Sequence, residues 1–338
     1  MRVLLVKLSS MGDVIHTLPA ITDAVREIPG IKFTWIIEEA FQEIASWHPA
    51  VEKVIPIALR KRNFRQVKNA IRELRTQQFD LVLDAQGLIK SAIITRLARA
   101  KNRAGGDWGT CREAVASLFY NRKFNVAKDQ HAVRRLRQLF AKTFGYAVPV
   151  GPISYGVNIP ECEMPNIANN TNPYLVFLHG TTWDSKHWPD EYWVVLADLV
   201  AAQGLQVQVT WATQQQKARA QMLADKCHNV TMLPHLTINQ AAVVLSRAHG
   251  VVAVDTGFAH LSAALDKPMV AIYGATDVIK AGTVGNKNIN LASKFSCAPC
   301  GQRVCTYSGV RSVNPPCYQE ILPQLVWQKL TGLLTLVV

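Results

Sequence analysis

Three short polar segments of this 338-residue chain carry side chains suited to acid–base chemistry and phosphate binding. The first, residues 7–13, reads Lys-Leu-Ser-Ser-Met-Gly-Asp and follows an apolar run. It has the spacing of neither a Walker A loop nor a Gly-x-Gly-x-x-Gly loop. Asp13 at its end is predicted to cap the following helix or to take a proton from a bound hydroxyl group. His16, about one helical turn later, is interpreted as a core histidine or as one that supports the same site.

The second segment, residues 179–188, combines a glycine, two threonines and a lysine just before a predicted helix. The glycine, Thr181 and Thr182 could surround a phosphate with backbone N–H and side-chain O–H groups. Lys186 would supply the positive charge that a phosphate needs. A purely structural interpretation, a polar loop capped by Ser185, stays open at this point.

The third segment, residues 254–260, contains a single Asp-Thr-Gly triplet. Aspartic proteases need two such Asp residues in an all-β frame, whereas this copy lies between a predicted strand and a predicted helix. The segment therefore predicts a helix N-terminus that presents amide and hydroxyl groups to a sugar or a phosphate. Residues 273–277, at the end of the next predicted strand, have a similar composition.

The positive charge of the chain is concentrated in its first half. The formal net charge is +13, and residues 1–150 hold 25 basic and 13 acidic side chains, whereas residues 151–338 hold 12 and 11. This asymmetry predicts an anionic partner for the first half: nucleic acid, a membrane surface or an acidic substrate. Aromatic residues are few among the basic ones, which disfavours single-stranded nucleic acid. The densest basic group comprises Arg60, Lys61, Arg62, Arg65, Lys68, Arg72 and Arg75.

The seven cysteines argue against a disulfide framework and favour a reducing compartment, because their number is odd and three are scattered. The other four lie in one segment near the end of the chain: Cys297, Cys300, Cys305 and Cys317. They could form a structural four-cysteine zinc site, although their spacing is not the usual pair of C-x-x-C motifs. Free thiols and disulfides are the alternatives.

The sequence predicts neither a membrane span nor a signal peptide. The two longest uncharged stretches, 164–183 and 227–246, each contain proline, asparagine and histidine, which a spanning helix disfavours. The apolar run at the N-terminus is interrupted by Lys7, and no small-residue cleavage site follows. We therefore expect a cytoplasmic protein.

Strand-like and helix-like segments alternate along the chain, which predicts βαβ units and parallel sheets. In the first half, strands are predicted at 2–8, 32–37, 51–57 and 79–83, and helices at 13–28, 64–75 and 88–98. A linker rich in proline and asparagine follows at about 145–173. The alternation then restarts, with strands at 174–179, 205–210, 230–233, 250–254 and 269–273 and helices at 190–202, 214–226, 238–248, 257–265 and 319–334.

This pattern predicts an α/β fold of two doubly wound, Rossmann-like domains with parallel sheets that face a central cleft. The domains are expected over residues 1–160 and 173–318, and the helix in 319–338 is expected to pack back toward the N-terminal domain. Because ligands of such folds bind at the carboxyl ends of the strands, the loops that follow the strands should carry the functional residues.

Several motifs occur in the order found in one known family. The chain resembles the ADP-heptose:lipopolysaccharide heptosyltransferases of glycosyltransferase family 9, and among them the type I enzymes most. The resemblance extends over nearly the whole chain to about residue 290. The matching motifs are residues 6–13 with 16–19, 84–91, 117–122, 130–133, 177–182, 186–189, and 254–257 with 260–261.

The resemblance implies a GT-B fold, with the acceptor on the N-terminal domain and the nucleotide sugar on the C-terminal domain. It implies transfer of L-glycero-D-manno-heptose from ADP-heptose to the inner Kdo residue of a Kdo–lipid A acceptor in the lipopolysaccharide core. The reaction would invert the anomeric centre and would require no metal ion or other cofactor. A type II enzyme acting on a heptosylated inner core is one alternative, since the cysteine-rich segment looks more like type II relatives. A non-catalytic protein that binds an anionic glycolipid on the same scaffold is another.

Motif positions also imply residue roles. Asp13 would be the base that deprotonates the Kdo hydroxyl group, while Lys186, Thr181 and Thr182 would bind the diphosphate and stabilise it as it leaves. Gln216 stands where relatives carry an acidic residue that holds the ADP ribose. The other donor-binding positions would be Asp255, Thr256, Gly257 and His260. The acceptor-binding positions would be Ser10, Gly12, Arg60, Lys61, Arg62, Gln86, Lys90 and Arg122.

The basic first half fits such an acceptor, because Kdo carboxylates and lipid A phosphates are anionic. The same surface could rest against an anionic membrane. We therefore expect the chain to act peripherally on the cytoplasmic face of the inner membrane of a Gram-negative bacterium, with no nucleic-acid partner.

Overall fold

The computed structural model describes residues 1–165 and 173–334, so residues 166–172 of the predicted linker and the last four residues lie outside it. The chain divides into two compact units, Met1–Pro160 and Glu161–Val338. Each unit is built on its own six-stranded sheet. The predicted α/β class with two parallel sheets is therefore confirmed.

The sheet of the first unit consists of parallel strands in the order β3-β2-β1-β4-β5-β6. β1 is central and its residues after the first are fully buried, which is typical of a parallel sheet covered on both faces. The strand order reverses between β1 and β4, so the loops that follow these two strands open side by side. The strands are β1 (Arg2–Val6), β2 (Lys32–Glu38), β3 (Val51–Ile57), β4 (Leu81–Asp84), β5 (Asn102–Gly106) and β6 (Arg122–Phe124).

The helix predicted over residues 13–28 is in fact two helices. Pro19 lies in the first turn of the second one and has no N–H group with which to continue the first, so the helix is interrupted near Thr17. The helices of this unit are α1 (Met11–Ile15), α2 (Leu18–Glu27), α3 (Gln42–Ser46), α4 (Phe64–Thr76), α5 (Ile89–Leu97) and α6 (Ala132–Phe144), with 3-10 turns at Glu39–Phe41 and Ala114–Phe119.

The second unit repeats the plan with parallel strands in the order β12-β11-β10-β7-β8-β9. Its reversal lies between β7 and β10, which pair directly through Leu178 and Ala253. The strands are β7 (Tyr174–Leu178), β8 (Gln206–Val209), β9 (Val230–Met232), β10 (Gly250–Val254), β11 (Met269–Tyr273) and β12 (Asn288–Ala292). The helices are α7 (Asp190–Ala201), α8 (Gln214–Lys226), α9 (Ile238–Arg247), α10 (Gly257–Ala264), α11 (Val278–Ala281) and α12 (Pro323–Leu334).

The last helix, α12, packs within the second unit. It contacts α7, β10 and β11 and buries Val326 and Leu330. The expectation that it also packs toward the N-terminal domain stays a prediction. Among the described helices, none combines the length and the apolar character that crossing a bilayer requires.

Candidate active site

Asp13 lies just beyond the carboxyl end of β1, in the first turn of α1. Ser10 takes the N-cap position, so Asp13 is the third helical residue and not the cap. Its Oδ2 atom accepts hydrogen bonds from the Ser10 backbone N–H (3.0 Å) and hydroxyl group (3.1 Å). Its Oδ1 atom lies 3.7 Å from the Lys7 ammonium, and 37% of the Asp13 side chain stays exposed. The carboxylate is therefore held in place with one part open to a ligand.

The charges around Asp13 keep it ionised. Burial raises the pKa of this carboxyl group, but Lys7, the two Ser10 hydrogen bonds and Arg112 outweigh burial and hold the pKa below its usual value of 3.8. A group that accepts a proton must first be in its unprotonated form, and Asp13 meets that condition at neutral pH. Arg135 also interacts with Asp13. Arg112 and Arg135 lie far along the chain from the first loop, so the sequence alone gives no sign that they reach it.

Gln86 holds the Asp13 loop from the neighbouring strand. Its Oε1 atom accepts the backbone N–H groups of Leu8 (3.0 Å) and Ser9 (3.3 Å). Buried Asp84 in turn accepts the Gln86 N–H at 2.8 Å and the Tyr120 hydroxyl at 2.7 Å. Burial raises the pKa of Asp84 despite these bonds. Gln86, expected to bind the acceptor, is thus engaged in positioning the loop through its side-chain oxygen.

Basic residues expected to bind the acceptor follow neighbouring strand ends. The Arg60 backbone N–H donates to Glu38 at 3.5 Å, and the Lys61 ammonium pairs with Glu39 at 2.6 Å. Exposed Lys90 follows β4 and acts electrostatically on Glu38, whose pKa is raised by burial. Arg62 is exposed in the same loop as Arg60 and Lys61. These residues share the carboxyl edge of the sheet with Asp13.

Arg122 is not brought to that group. It begins the edge strand β6, three strands from β1 and so about 14 Å away across the sheet. Its guanidinium donates to the Thr143 carbonyl at 3.1 Å. Gly12 and Ser10 lie beside Asp13 in the first turn. His16 is nearly buried with its ring 5.4 Å from that of His131, which agrees with the interpretation as a core or supporting histidine.

In the second unit, the loops after β7 and β10 meet at an ion pair. The Lys186 ammonium lies 2.7 Å from Asp255 Oδ2, and both side chains are mostly buried. The Thr181 hydroxyl donates to the Asp255 carbonyl at 3.0 Å. These contacts place the predicted phosphate-binding lysine directly beside the start of α10. Thr182 is exposed in the same loop.

Trp183 lies between two cations. The Lys186 ammonium is 4.0 Å from the ring centre and the Arg303 guanidinium carbon 5.7 Å from it. Arg303 is exposed and has no ion-pair partner among the residues that the structure describes. The backbone N–H of Ser185 donates to the Arg303 carbonyl at 3.1 Å. The sequence analysis assigned no role to Arg303, since only the fold brings residue 303 to the loop after β7.

Gln216 lies over the end of β7. Its Oε1 atom accepts the Ala212 N–H at 2.9 Å, and its amide carbon would be 2.7 Å from any Cβ atom at Gly180. Glycine at that position therefore lets the Gln216 amide approach the strand end. Its Nε2 group points to the same place and could bond a ribose hydroxyl group.

The remaining predicted donor residues surround the start of α10. Thr256 is its N-cap and Gly257 its first residue, both half-buried, and His260 lies one turn later and is buried. Thr276, after the adjacent β11, has a buried hydroxyl group without a partner among the described residues. An unpartnered hydroxyl group and the amide groups of a helix N-terminus are suited to bind phosphate or sugar oxygens.

The four cysteines of the predicted zinc site line one cavity of about 290 Å³. Cys297 and Cys300 are exposed, whereas Cys317 is buried, and burial raises its pKa to about 12. Within residues 1–165 and 173–334, no group of three or more His, Cys, Asp or Glu side chains is arranged to hold a metal ion. The cysteines are free thiols in this structure, one of the alternatives that the sequence left open. The structural zinc site stays a prediction.

Comparisons with known proteins agree with this arrangement. The model of glycosyltransferase family 9 (heptosyltransferase) matches residues 67–311. Lipopolysaccharide heptosyltransferase 1 of Pseudomonas aeruginosa is 44% identical over 354 aligned positions, covering 99% of this chain and 98% of that protein. Its namesake in Escherichia coli K12 is 49% identical over 286 positions, covering 82% and 89%.

A solved structure extends the likeness to three dimensions. The Escherichia coli heptosyltransferase WaaC with ADP-2-deoxy-2-fluoro heptose has a TM-score of 0.81 and 41% identity, covering 98% of this chain and 99% of that one. The architecture of two parallel six-stranded sheets matches the GT-B fold expected from the sequence. Because the family model matches residues 67–311 and both relatives are more than 40% identical, the chain belongs to glycosyltransferase family 9 and is a heptosyltransferase.

Proposed function

We propose that this enzyme moves L-glycero-D-manno-heptose from ADP-heptose to the Kdo residue of Kdo–lipid A, with inversion at the anomeric carbon. The observation that carries the proposal is Asp13, an ionised and partly exposed carboxylate at the carboxyl edge of a sheet rimmed by basic residues. The relatives named lipopolysaccharide heptosyltransferase 1 support the same reaction class. The ADP-2-deoxy-2-fluoro heptose bound to WaaC supports the donor.

In this reaction the Asp13 carboxylate accepts the proton of the attacking Kdo hydroxyl group. The hydroxyl oxygen forms a bond to the anomeric carbon from the face opposite the diphosphate. The bond between that carbon and the diphosphate oxygen breaks, and ADP leaves with the electron pair. Because glycosyl transfer passes through an oxocarbenium-like state, the attacking oxygen loses its proton only as the new bond forms. A carboxylate of low pKa is therefore a sufficient base.

The second unit stabilises the leaving group. Lys186 would exchange part of its contact with Asp255 for the diphosphate, beside the Thr181 hydroxyl group and the N-terminus of α10. Thr182, Thr256, Gly257 and His260 would complete the diphosphate and heptose contacts. Gln216 would bond the ribose. Asp255 then has two tasks, since it positions Lys186 through its carboxylate and Thr181 through its carbonyl group.

The first unit binds the acceptor through cations. Arg60, Lys61, Arg62 and Lys90 would meet Kdo carboxylates and lipid A phosphates, with Ser10 and Gly12 next to the reacting hydroxyl group. The acceptor is a membrane lipid, so we propose that the enzyme works peripherally on the cytoplasmic face of a Gram-negative inner membrane. The excess of basic residues in the first 150 positions supports that location.

Incubation of the purified protein with ADP-heptose and defined acceptors tests the proposal. Mass spectrometry should show the addition of one heptosyl unit to Kdo–lipid A, and NMR should show an inverted anomeric centre. Addition only to an acceptor that already carries heptose would instead identify a type II enzyme. Absence of any product, with intact binding of both substrates, would identify a non-catalytic protein.

Asp13→Asn tests the base. The neutral amide cannot take the proton, so we expect kcat to fall about 100- to 10,000-fold, while calorimetry shows unchanged binding of ADP. Asp129→Asn, which alters an exposed carboxylate of the same unit, is the matched control. Turnover by the Asp13 variant at the rate of this control would refute the assigned role.

A further inference from the structure

Five large apolar side chains are exposed within a short stretch of the first unit. Between 41% and 65% of each remains accessible. They belong to α5, to the loop after β5 and to the 3-10 turn Ala114–Phe119. We call them the apolar patch: Ile89, Ile93, Trp108, Val115 and Leu118.

Local geometry places these side chains on a shared surface. Ile89 and Ile93 are four residues apart on one helical face. Val115 and Leu118 are three apart in a 3-10 turn, which has three residues per turn. The two segments contact each other, and the Ile89 backbone N–H donates to the Glu113 carboxylate at 2.6 Å. The loop that carries Trp108 runs directly into this contact.

The charges around the apolar patch are basic. Lys90 and Arg96 on α5 and Arg112 before the 3-10 turn are exposed, and none of the three forms an ion pair among the described residues. The two nearby carboxylates are already engaged. Glu113 accepts the Ile89 N–H, and Asp107 accepts the Thr110 N–H at 2.8 Å. The surface therefore presents apolar groups together with three cations and these two carboxylates, which leaves an excess of positive charge.

This combination favours one occupant over the others. Apolar side chains and basic residues together suit the headgroup region of an anionic bilayer, where tryptophan is also favoured. A second copy of the chain would bring the same three cations against their equivalents, which opposes self-association. Charge complementarity therefore points to lipid.

The apolar patch also adjoins the acceptor side of the active site. Gln86 lies three residues before Ile89, where α5 begins, and its side chain holds the loop of Asp13. Lys90 acts on Glu38 and Arg112 acts on Asp13. A lipid-borne acceptor could thus keep its acyl chains in the bilayer while its sugar reaches the carboxylate.

We propose that the apolar patch, with Lys90, Arg96 and Arg112 around it, is the surface on which this enzyme binds an anionic lipid bilayer. This surface would make the membrane contact for the peripheral location proposed above. Only the identity of the acceptor rests on the proposed function. Membrane binding itself is measured without donor or acceptor, so it can fail or succeed independently of heptosyl transfer.

Sedimentation with vesicles of phosphatidylethanolamine mixed with phosphatidylglycerol tests the surface. We expect the wild-type protein to bind these vesicles, to bind phosphatidylcholine vesicles weakly, and to lose affinity as salt rises. The double variant Val115→Glu/Leu118→Glu should bind the anionic vesicles at least about tenfold more weakly, because it replaces apolar contact with negative charge. Both positions are exposed, and a thermal melt checks that the fold is kept.

The matched control is Ile279→Glu/Val310→Glu, which adds the same charge at exposed apolar positions of the second unit. It should bind vesicles like the wild type. With a deacylated, water-soluble acceptor, the Val115/Leu118 variant should retain wild-type turnover. Vesicles with brominated lipid should quench less fluorescence in Trp108→Phe than in the wild type.

Four outcomes would overturn the proposal. Three of them are no binding of the wild-type protein to anionic vesicles, unchanged binding by the Val115/Leu118 variant, and an equal loss of binding by the control. A wild-type dimer in ultracentrifugation that this variant dissociates, with vesicle binding unaltered, would show the apolar patch to be a self-association surface instead.

Discussion

Asp13 and Lys186, the two residues assigned to the chemistry, each form an ion pair with a neighbouring side chain. Lys7 is 3.7 Å from Asp13, and Asp255 is 2.7 Å from Lys186. The Lys7 side chain is almost buried and its ammonium also donates to the Ala85 carbonyl, so its position is well defined. Lys7 helps to hold the pKa of Asp13 below its usual value.

Lys7→Met should move the acid limb of the pH–rate profile. Loss of the positive charge raises the Asp13 pKa, so the base becomes protonated at higher pH and activity declines earlier as pH falls. We expect the acid limb of the kcat/KM profile to shift to higher pH by about one unit or more. Lys32→Met, which removes an exposed ion pair with Glu52, should leave the limb in place. An unshifted limb in a folded Lys7 variant would contradict this.

Lys186→Met should weaken ADP binding for two reasons. It removes the cation, and it leaves the mostly buried Asp255 carboxylate uncompensated beside the diphosphate. We expect calorimetry to show an affinity for ADP about a hundredfold lower than that of the wild type. The double variant Lys186→Met/Asp255→Asn should recover part of this affinity, because it also removes the repelling charge. Lys280→Met, at an exposed ion pair of the same unit, is the control. Equal affinities for the single and double variants would contradict the repulsion argument.

At the scale of elements, the loop after β7 is held by the segment that ends the second unit. The Ser185 hydroxyl donates to the Gln302 carbonyl at 2.5 Å, and the Tyr318 hydroxyl donates to the Ser185 carbonyl at 3.2 Å. The Trp188 indole N–H donates to the Ile321 carbonyl at 2.9 Å. The cysteine-rich segment and the residues just after it therefore support the loop after β7 through hydrogen bonds.

Tyr318→Phe should loosen that support. The variant keeps the buried ring but leaves the Ser185 carbonyl without this donor, at a cost of about 1–3 kcal/mol. We expect a weaker affinity for ADP with the acceptor KM unchanged, measured by calorimetry and steady-state kinetics. Tyr192→Phe, whose ring packs on Trp188, removes a hydroxyl group elsewhere in the unit and serves as control. Unchanged ADP affinity in Tyr318→Phe would show that the hydrogen bond from Tyr318 to Ser185 does not contribute to ADP binding.

At the scale of the whole molecule, each unit contains a buried histidine whose pKa is strongly lowered, so that this ring is neutral near pH 7. Burial lowers the pKa of His48 in the first unit to about 4. Burial, with Arg219 and His187 nearby, lowers that of His179 in the second unit to about 3. The Ala50 N–H donates to His48 Nδ1 at 3.2 Å, so the proton of this ring is on Nε2, next to the Thr22 hydroxyl group.

Both units should therefore lose stability as pH falls below about 6.5, where unfolded imidazoles take up protons that the folded ones do not. From pH 7 to pH 5 we expect a loss of about 2 kcal/mol per histidine in the free energy of unfolding. Urea titrations of wild type and His48→Gln measure it, and the variant should show the smaller pH dependence. Exposed His228→Gln should behave as the wild type. A pH dependence equal in all three proteins would be inconsistent with a neutral buried His48.

Much of the fold follows from local pattern. Strands β3, β10 and β11 and helix α8 have the predicted bounds, because apolar runs and helical spacing define them within a few residues. Strands β5 and β6 were missed, since Asn102–Gly106 and Arg122–Phe124 have no apolar run. Their strand conformation comes from pairing with β4 and with each other. Arg122 was grouped with the acceptor-binding positions on the family resemblance, whereas the structure places it on β6, three strands from β1.

The residues of the candidate site also fall into two groups, those that the sequence alone identified and those that it did not. Asp13, Lys186 and Asp255 were identified from sequence alone, because each follows a predicted strand and such loops meet at one edge of a parallel sheet. Their partners were not identified. Gln86 holds Leu8 across 78 positions, and Arg303 reaches Trp183 only because the last segment folds over the β7 loop.

The sequence by itself determined the alternation of strands and helices, the polar loops at the strand ends and the basic excess of the first half. These properties depend on residue type and on neighbours a few positions away. Only the tertiary structure decided which charges pair, that the four clustered cysteines line one cavity, and which apolar residues remain exposed. Such contacts depend on how distant segments pack, since Coulomb interactions and burial act over ångströms in space and not over positions in the chain.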